Sequence, residues 1–255
     1  MMKKFVKTVT VTGADDSIRP EELIPIAKEF PFVEFGILLS KKQTGAKRFP
    51  SLRWLQELNS NVWCQHPLWL KNRRMNLAGH LCGRWVRDVC LGDTDFLRQF
   101  GFNWGMFDRL QFNFHAEPHR VDYEKFALVL QRGLRSALAG RQSFIFQMDG
   151  ANDEMFHRLS NQEDRGIFVS PLFDTSGGAG ILPRQWPKQI SGRYCGYAGG
   201  LGPENIQQEL EKISKVAIDL IWIDAETRLR SENDKVFDLE KVRRFLEAAK
   251  PWVID

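Results

Sequence analysis

Apolar positions along this chain follow two alternating periods. Short runs, unbroken or with every second residue apolar, give way to stretches with apolar residues three and four apart. Residues 5–12 interleave Val and Thr and stop at Gly13, which predicts a strand. Residues 20–30 then place Leu23, Ile26, Ala27 and Phe30 on one helical face. The alternation repeats as a strand over 32–40 and a short helix over 50–58, then a strand over 76–83 and a helix over 84–90. It continues as a strand over 109–115 with a helix over 123–138, a strand over 143–150 with a helix over 153–159, and a strand over 167–174. A polar, basic loop fills 41–48, and an irregular insertion lies near 59–75. The last third is the most regular. A strand over 194–198 meets Gly199 and Gly200, and Pro203, Glu204 and Asn205 open a helix carrying Ile206, Leu210, Ile213 and Val216. The apolar run 217–223 reads as a strand buried on both faces, and 238–249 as a closing amphipathic helix.

About eight strand–helix alternations over this length predict one α/β domain spanning 1–255, a single (β/α)8 TIM barrel. An open doubly wound sheet is the alternative. Net charge is +4, from 36 basic and 32 acidic residues, so composition makes no case for nucleic acid or a membrane surface. No apolar run has the length of a spanning helix, and the charged start is not followed by the apolar core of a signal peptide. The four cysteines show no C-x-x-C spacing, as expected of a reduced, cytoplasmic protein. The expected partner is a small-molecule substrate, with no cofactor and no resident metal, the chain acting as a monomer or homodimer.

In such a barrel the site lies at the C-terminal strand ends. Those ends gather Thr12, Ser40, His80 with Cys82, Asn113 with His115, Gln147 with Asp149, Asp174, Gly199 with Gly200, and Asp224 with Glu226. Residues two apart share a face, so each pair points one way, and polar groups converging on one rim suit a small molecule. The glycine pair leaves backbone N–H groups for an anion, although glycines also serve tight turns for backbone reasons alone. His115, Glu117 and His119 alternate and offer a metal-dependent alternative, against which Pro118 counts.

These motifs, in order along nearly the whole chain, resemble one family, phosphoribosylanthranilate isomerase, a (β/α)8 barrel. AGGLGPENI at 198–206 resembles its phosphate-binding turn, AIDL at 217–220 with Ala225-Glu226 its eighth strand, and 237–249 its last helix. Leu172-Phe173-Asp174-Thr175, with the glycine loop that holds Gly178 and Gly180, resembles its sixth strand and mobile loop. Residues 47–51 are similar to the segment after strand two, and Leu81 with Gly83 to the third-strand motif. The resemblance implies an aminoaldose-to-aminoketose rearrangement, with Asp174 protonating the ring oxygen and Arg48 holding a carboxylate. Thr12 stands where the family has its thiol base, which leaves Asp149 or Cys82 as base. Cys82 stands where the third-strand motif has a His, and Ile181-Leu182 where Lys-Thr is expected. Asp224 replaces a small Gly. There its carboxylate either repels a phosphate or is turned elsewhere by a one-residue shift. The reading is an isomerase-type enzyme on a sugar or sugar-phosphate conjugate, other than the tryptophan-pathway enzyme. A non-catalytic binding barrel is the alternative.

Overall fold

Eight parallel strands form a closed barrel: β1 (Val6–Thr12), β2 (Val33–Ser40), β3 (Asn76–Cys82), β4 (Arg109–Asn113), β5 (Ser143–Gln147), β6 (Phe168–Phe173), β7 (Cys195–Ala198) and β8 (Ile221–Ala225). The computed structural model describes residues 3–62, 75–93, 106–113, 121–132, 143–148, 152–162, 166–174 and 179–254. Closure excludes the open sheet. β1 pairs with β2 from Val9–Val33 to Thr12–Gly36, and with β8 from Val6–Ile221 to Val11–Ala225. Around the barrel lie α1 (Leu23–Glu29), α2 (Leu52–Val62), α3 (Arg84–Cys90), α4 (Tyr123–Arg132), α5 (Asp153–Ser160), α6 (Ile206–Ile213) and α7 (Leu239–Ala249). Among the described residues no helix is long and apolar enough to cross a membrane.

Alternation along each strand splits the buried residues into two sets. Outward residues such as Val9, Phe35, Phe112 and Phe146 meet the helices in one large core, where Phe112 stacks on Phe146 and meets Phe126 edge-on. Inward, Ile145, Leu172, Ala198 and Trp222 form a small apolar plug with Tyr194. Beside the plug the interior is charged. Arg109 donates from Nε to Glu34 at 2.9 Å and from Nη2 to the other Glu34 oxygen at 2.5 Å. Its guanidinium also lies 4.4 Å from the Trp222 ring centre and 3.1 Å from Thr10 Oγ1. Such a pair is tolerable when buried because each charge has a hydrogen-bonded partner.

Two elements depart from the sequence pattern. The eighth strand begins at Ile221, not at residue 217. Gln189 Oε1 accepts from the N–H groups of Ile218 and Asp219, and Asp219 takes the N–H of Leu220, so these side-chain bonds withdraw the first apolar residues from the ladder. The second helix runs on to Val62, inside the stretch expected to be irregular; 63–74 lies outside the described residues. Between β6 and β7 the described segment 179–194 carries no helix. Trp186 packs there instead, its indole N–H bonded to buried Glu209 of α6 at 2.8 Å and its ring edge-on to Tyr197.

Candidate active site

The C-terminal ends of the strands enclose a cavity of about 350 Å³. His80, Cys82, Asn113, Gln147, Asp174, Gly180, Gly199, Gly200, Asp224, Glu226 and Arg48 all line it, so most residues read as strand-end chemistry do converge. Thr12 reaches it through Asp224, to which its hydroxyl donates at 2.7 Å. Asp149, Gly178 and the His115–Glu117–His119 alternation lie outside the described residues. Among the described residues no group of three metal-binding side chains forms.

Asp224 is an inward strand residue of β8, paired with Thr10 of β1 and Ala198 of β7. The ladder irregularity is real, but it falls between Val6 and Thr8 of β1 and leaves Asp224 pointing inward. The Thr12 side chain fits against the sheet because residue 36 is Gly. A Cβ there would lie 2.0 Å from Thr12 Oγ1 and 3.1 Å from His80 Cε1. Burial pushes the Asp224 carboxyl up to about 8, with Glu226 and Glu34 adding to the rise and Thr12 and Arg109 opposing it. Near neutral pH it is therefore mainly protonated. His80, 2% exposed, is driven down to about 3 by burial and by Arg109, so its ring is neutral. Its Nε2 is buried and has no hydrogen-bond partner among the described residues. Burial likewise raises the Cys82 thiol to about 12, although Asn113 donates to its sulfur at 3.6 Å. Cys82 is thus a neutral thiol in this state and a poor base. Gln147 holds the end of β6 by donating to the Asp174 backbone carbonyl at 3.0 Å.

Arg48 has a different setting from the one its neighbours in sequence suggest. Its Nε meets both oxygens of Asp234 at 2.7 and 2.8 Å, and its Nη1 meets Glu226 at 2.6 Å. Burial alone would lower its pKa, but the two carboxylates raise it. Asp234 sits in the hairpin between β9 (Arg230–Ser231) and β10 (Val236–Phe237). Glu232, Asn233 and Asp234 all have positive φ there, a conformation that Asn and Asp tolerate better than most residues. Fully buried Arg230 braces the hairpin against Asp15 at 2.7 Å and Asp234 at 2.9 Å, and also bonds the Gly13 carbonyl. The loops after β1, β2 and β8 are thereby tied by one ion-pair network. Sequence reasoning missed Asp234 and Arg230. The turn-forming Glu-Asn-Asp stretch was the available signal.

The turn after β7 and Arg228 also line the cavity. Gly199 and Gly200 take φ of 110° and 65°, which favours glycine. A Cβ on Gly200 would strike the backbone of residues 180–182, so that loop lies directly over the turn. Asn205 fixes the turn by accepting from the Gly202 N–H at 2.9 Å and donating to the Gly200 carbonyl at 2.8 Å. Arg228, exposed and missed from sequence, runs its stem over Gly202 and lines the same wall with Thr227. The run of alternating strand-end residues extended two past Glu226 would have found it. The cavity is therefore lined both by groups that suit an anion, Arg228 and the Gly199–Gly200 turn, and by the carboxyl groups of Asp174, Asp224 and Glu226.

No family model and no curated protein sequence matches the chain. Its backbone superposes on phosphoribosylanthranilate isomerase from Thermotoga maritima with a TM-score of 0.53 at 15% identity, covering 96% of this chain and 98% of that one. Monomers generated from the dimeric phosphoribosylanthranilate isomerase of that organism superpose with a TM-score of 0.52 at 16% identity, over 95% and 98%. The shared feature is the fold: a divergent phosphoribosylanthranilate isomerase-like (β/α)8 barrel.

Proposed function

We propose that this chain is an isomerase-type enzyme acting on a sugar or sugar-phosphate conjugate bound in the barrel mouth. The observation that carries the reading is the mixed lining of the cavity. Arg228 and the Gly199–Gly200 turn suit a phosphate, since free backbone N–H groups and a guanidinium together hold an anion. Asp174, Asp224 and Glu226 face it with carboxyl groups able to move protons. In an aldose-to-ketose rearrangement one group protonates the ring oxygen as the C1–O bond breaks. Another takes the proton from C2, and the electron pair left behind forms the enol that becomes the ketose. Asp174 is the acid in this reading. The base is a second carboxylate of the lining, with Asp149 as a further candidate, because the Cys82 thiol stays protonated. The thiols of Cys82, Cys90 and Cys195 are free, which fits a reducing, cytoplasmic setting.

A binding barrel without chemistry is the second reading. It is favoured by Thr12, a hydroxyl far too weak to serve as a base near neutral pH. Binding and chemistry are tested in turn. Calorimetric titration with ribose 5-phosphate and inorganic phosphate is expected to show binding that weakens about tenfold or more in Arg228→Ala, the loss of one charge-assisted contact. Binding indifferent to Arg228 would remove the phosphate wall from the account.

A further inference from the structure

The charged residues around Arg48 say which kind of ligand the other wall can hold. A guanidinium offered to a ligand carboxylate must have charge to spare. Arg48 does not, because Asp234 and Glu226 already flank it at 2.6–2.8 Å. Arg230 and Lys47, which support Asp234, complete a balanced set of three cations with Asp15, Asp234 and Glu226. A third carboxylate brought to Arg48 would face Glu226 and Asp174 across a few ångströms and be repelled.

What the wall presents to the cavity is carboxyl oxygens and an imidazole ring. Only one oxygen of Glu226 bonds Arg48, and only one oxygen of Asp224 bonds Thr12, leaving the second oxygen of each without a hydrogen bond among the described residues. The His80 ring lines the same cavity, and its buried Nε2 has no hydrogen-bond partner among the described residues. A buried polar atom left without a partner costs stability, and a neutral imidazole nitrogen is well suited to accept a hydrogen bond from a cationic head.

We infer that the wall formed by Asp224, Glu226 and His80 binds a protonated amine, so that the ligand is an amino sugar phosphate rather than the conjugate of an aromatic acid. The phosphate end rests on the function proposed above; the amine end rests on these three residues alone. An ammonium group carries three donors, enough for the two carboxyl oxygens and the imidazole, and it supplies the charge that lets Asp224 ionise in place.

Binding probes test the two ends separately. Affinities are measured by calorimetry or ligand-observed NMR for D-glucosamine 6-phosphate, D-glucose 6-phosphate, D-glucosamine, D-glucose and 2-aminobenzoate. The expected result is about tenfold tighter binding of each amine than of its hydroxyl counterpart. That preference should vanish in Asp224→Asn, a substitution of the same size, and fall in Glu226→Gln, with no binding of 2-aminobenzoate. Equal affinities for amine and hydroxyl in the wild type, or saturable binding of 2-aminobenzoate, would overturn the inference. If the amine preference holds while phosphorylated sugars bind no better than plain ones, the phosphate wall falls and the amine wall stands. Loss of affinity in Arg228→Ala without an amine preference gives the reverse. No binding by any probe removes both.

Discussion

Replacing Asp224 by Asn should stabilise this protein, and by an amount that depends on pH. The folded-state carboxyl titrates near 8, against 3.8 for the free group, chiefly because it is buried. A group whose folded pKa is raised favours the fold fully below its unfolded pKa, and that advantage is lost as pH rises through the folded value. The window is therefore about pH 4 to 8. At about 1.4 kcal/mol per pH unit, a shift of four units amounts to roughly 5–6 kcal/mol between the two ends. Water entry and small movements around the anion reduce this, so about 2–3 kcal/mol is the working expectation. For a chain of this size that is a rise in melting temperature of about 5–10 °C. Scanning calorimetry of wild type and Asp224→Asn should show nearly equal melting temperatures at about pH 3.5, below the unfolded pKa, and a gap favouring the variant that opens above it and is largest at about pH 9. A gap independent of pH, or a wild type more stable at the alkaline end, would refute the placement of a buried, ionisable carboxyl beside Thr12.

Other perturbations test the frame that holds the site. Glu34→Gln leaves the Arg109 guanidinium buried without its counter-charge and should cost about 3–5 kcal/mol in a urea titration; a cost under about 1 kcal/mol would mean the pair is not buried as described. Gly36→Ala places a methyl 2.0 Å from the Thr12 hydroxyl and should destabilise by about 1–3 kcal/mol, whereas an unchanged melting temperature would contradict the packing. A tryptophan auxotroph lacking phosphoribosylanthranilate isomerase should not grow on this chain, since Thr12 stands where the resemblance places the thiol base; robust growth would contradict that.

The barrel was legible because its signal is repeated. Alternating periods, Pro203 and the Gly199–Gly200 turn each pointed to the same local structure, and strand ends placed His80, Cys82, Asn113, Gln147 and Asp174 on one rim by period two alone. What could not be read depended on partners distant in sequence. The start of β8 is set by Gln189, about thirty residues earlier, which captures two N–H groups that hydropathy assigns to the strand. Arg48 looked like a free anion grip, because only the folded chain brings Asp234 to it from 186 residues away. Asp224 read as an obstacle to phosphate. The folded chain adds what the sequence did not show, an inward register and a bond from Thr12 that hold it in the cavity lining.

The most direct test of the proposed chemistry is proton exchange at carbon 2. A set of aldose phosphates and their amino counterparts, incubated with the protein in deuterium oxide, is followed by proton NMR. The account predicts loss of the C2 proton signal with at least one of them, and an exchange rate lower by about 10²–10⁴-fold in Asp174→Asn with ligand binding retained. Binding without exchange by the wild type, or exchange unchanged in Asp174→Asn, would contradict it.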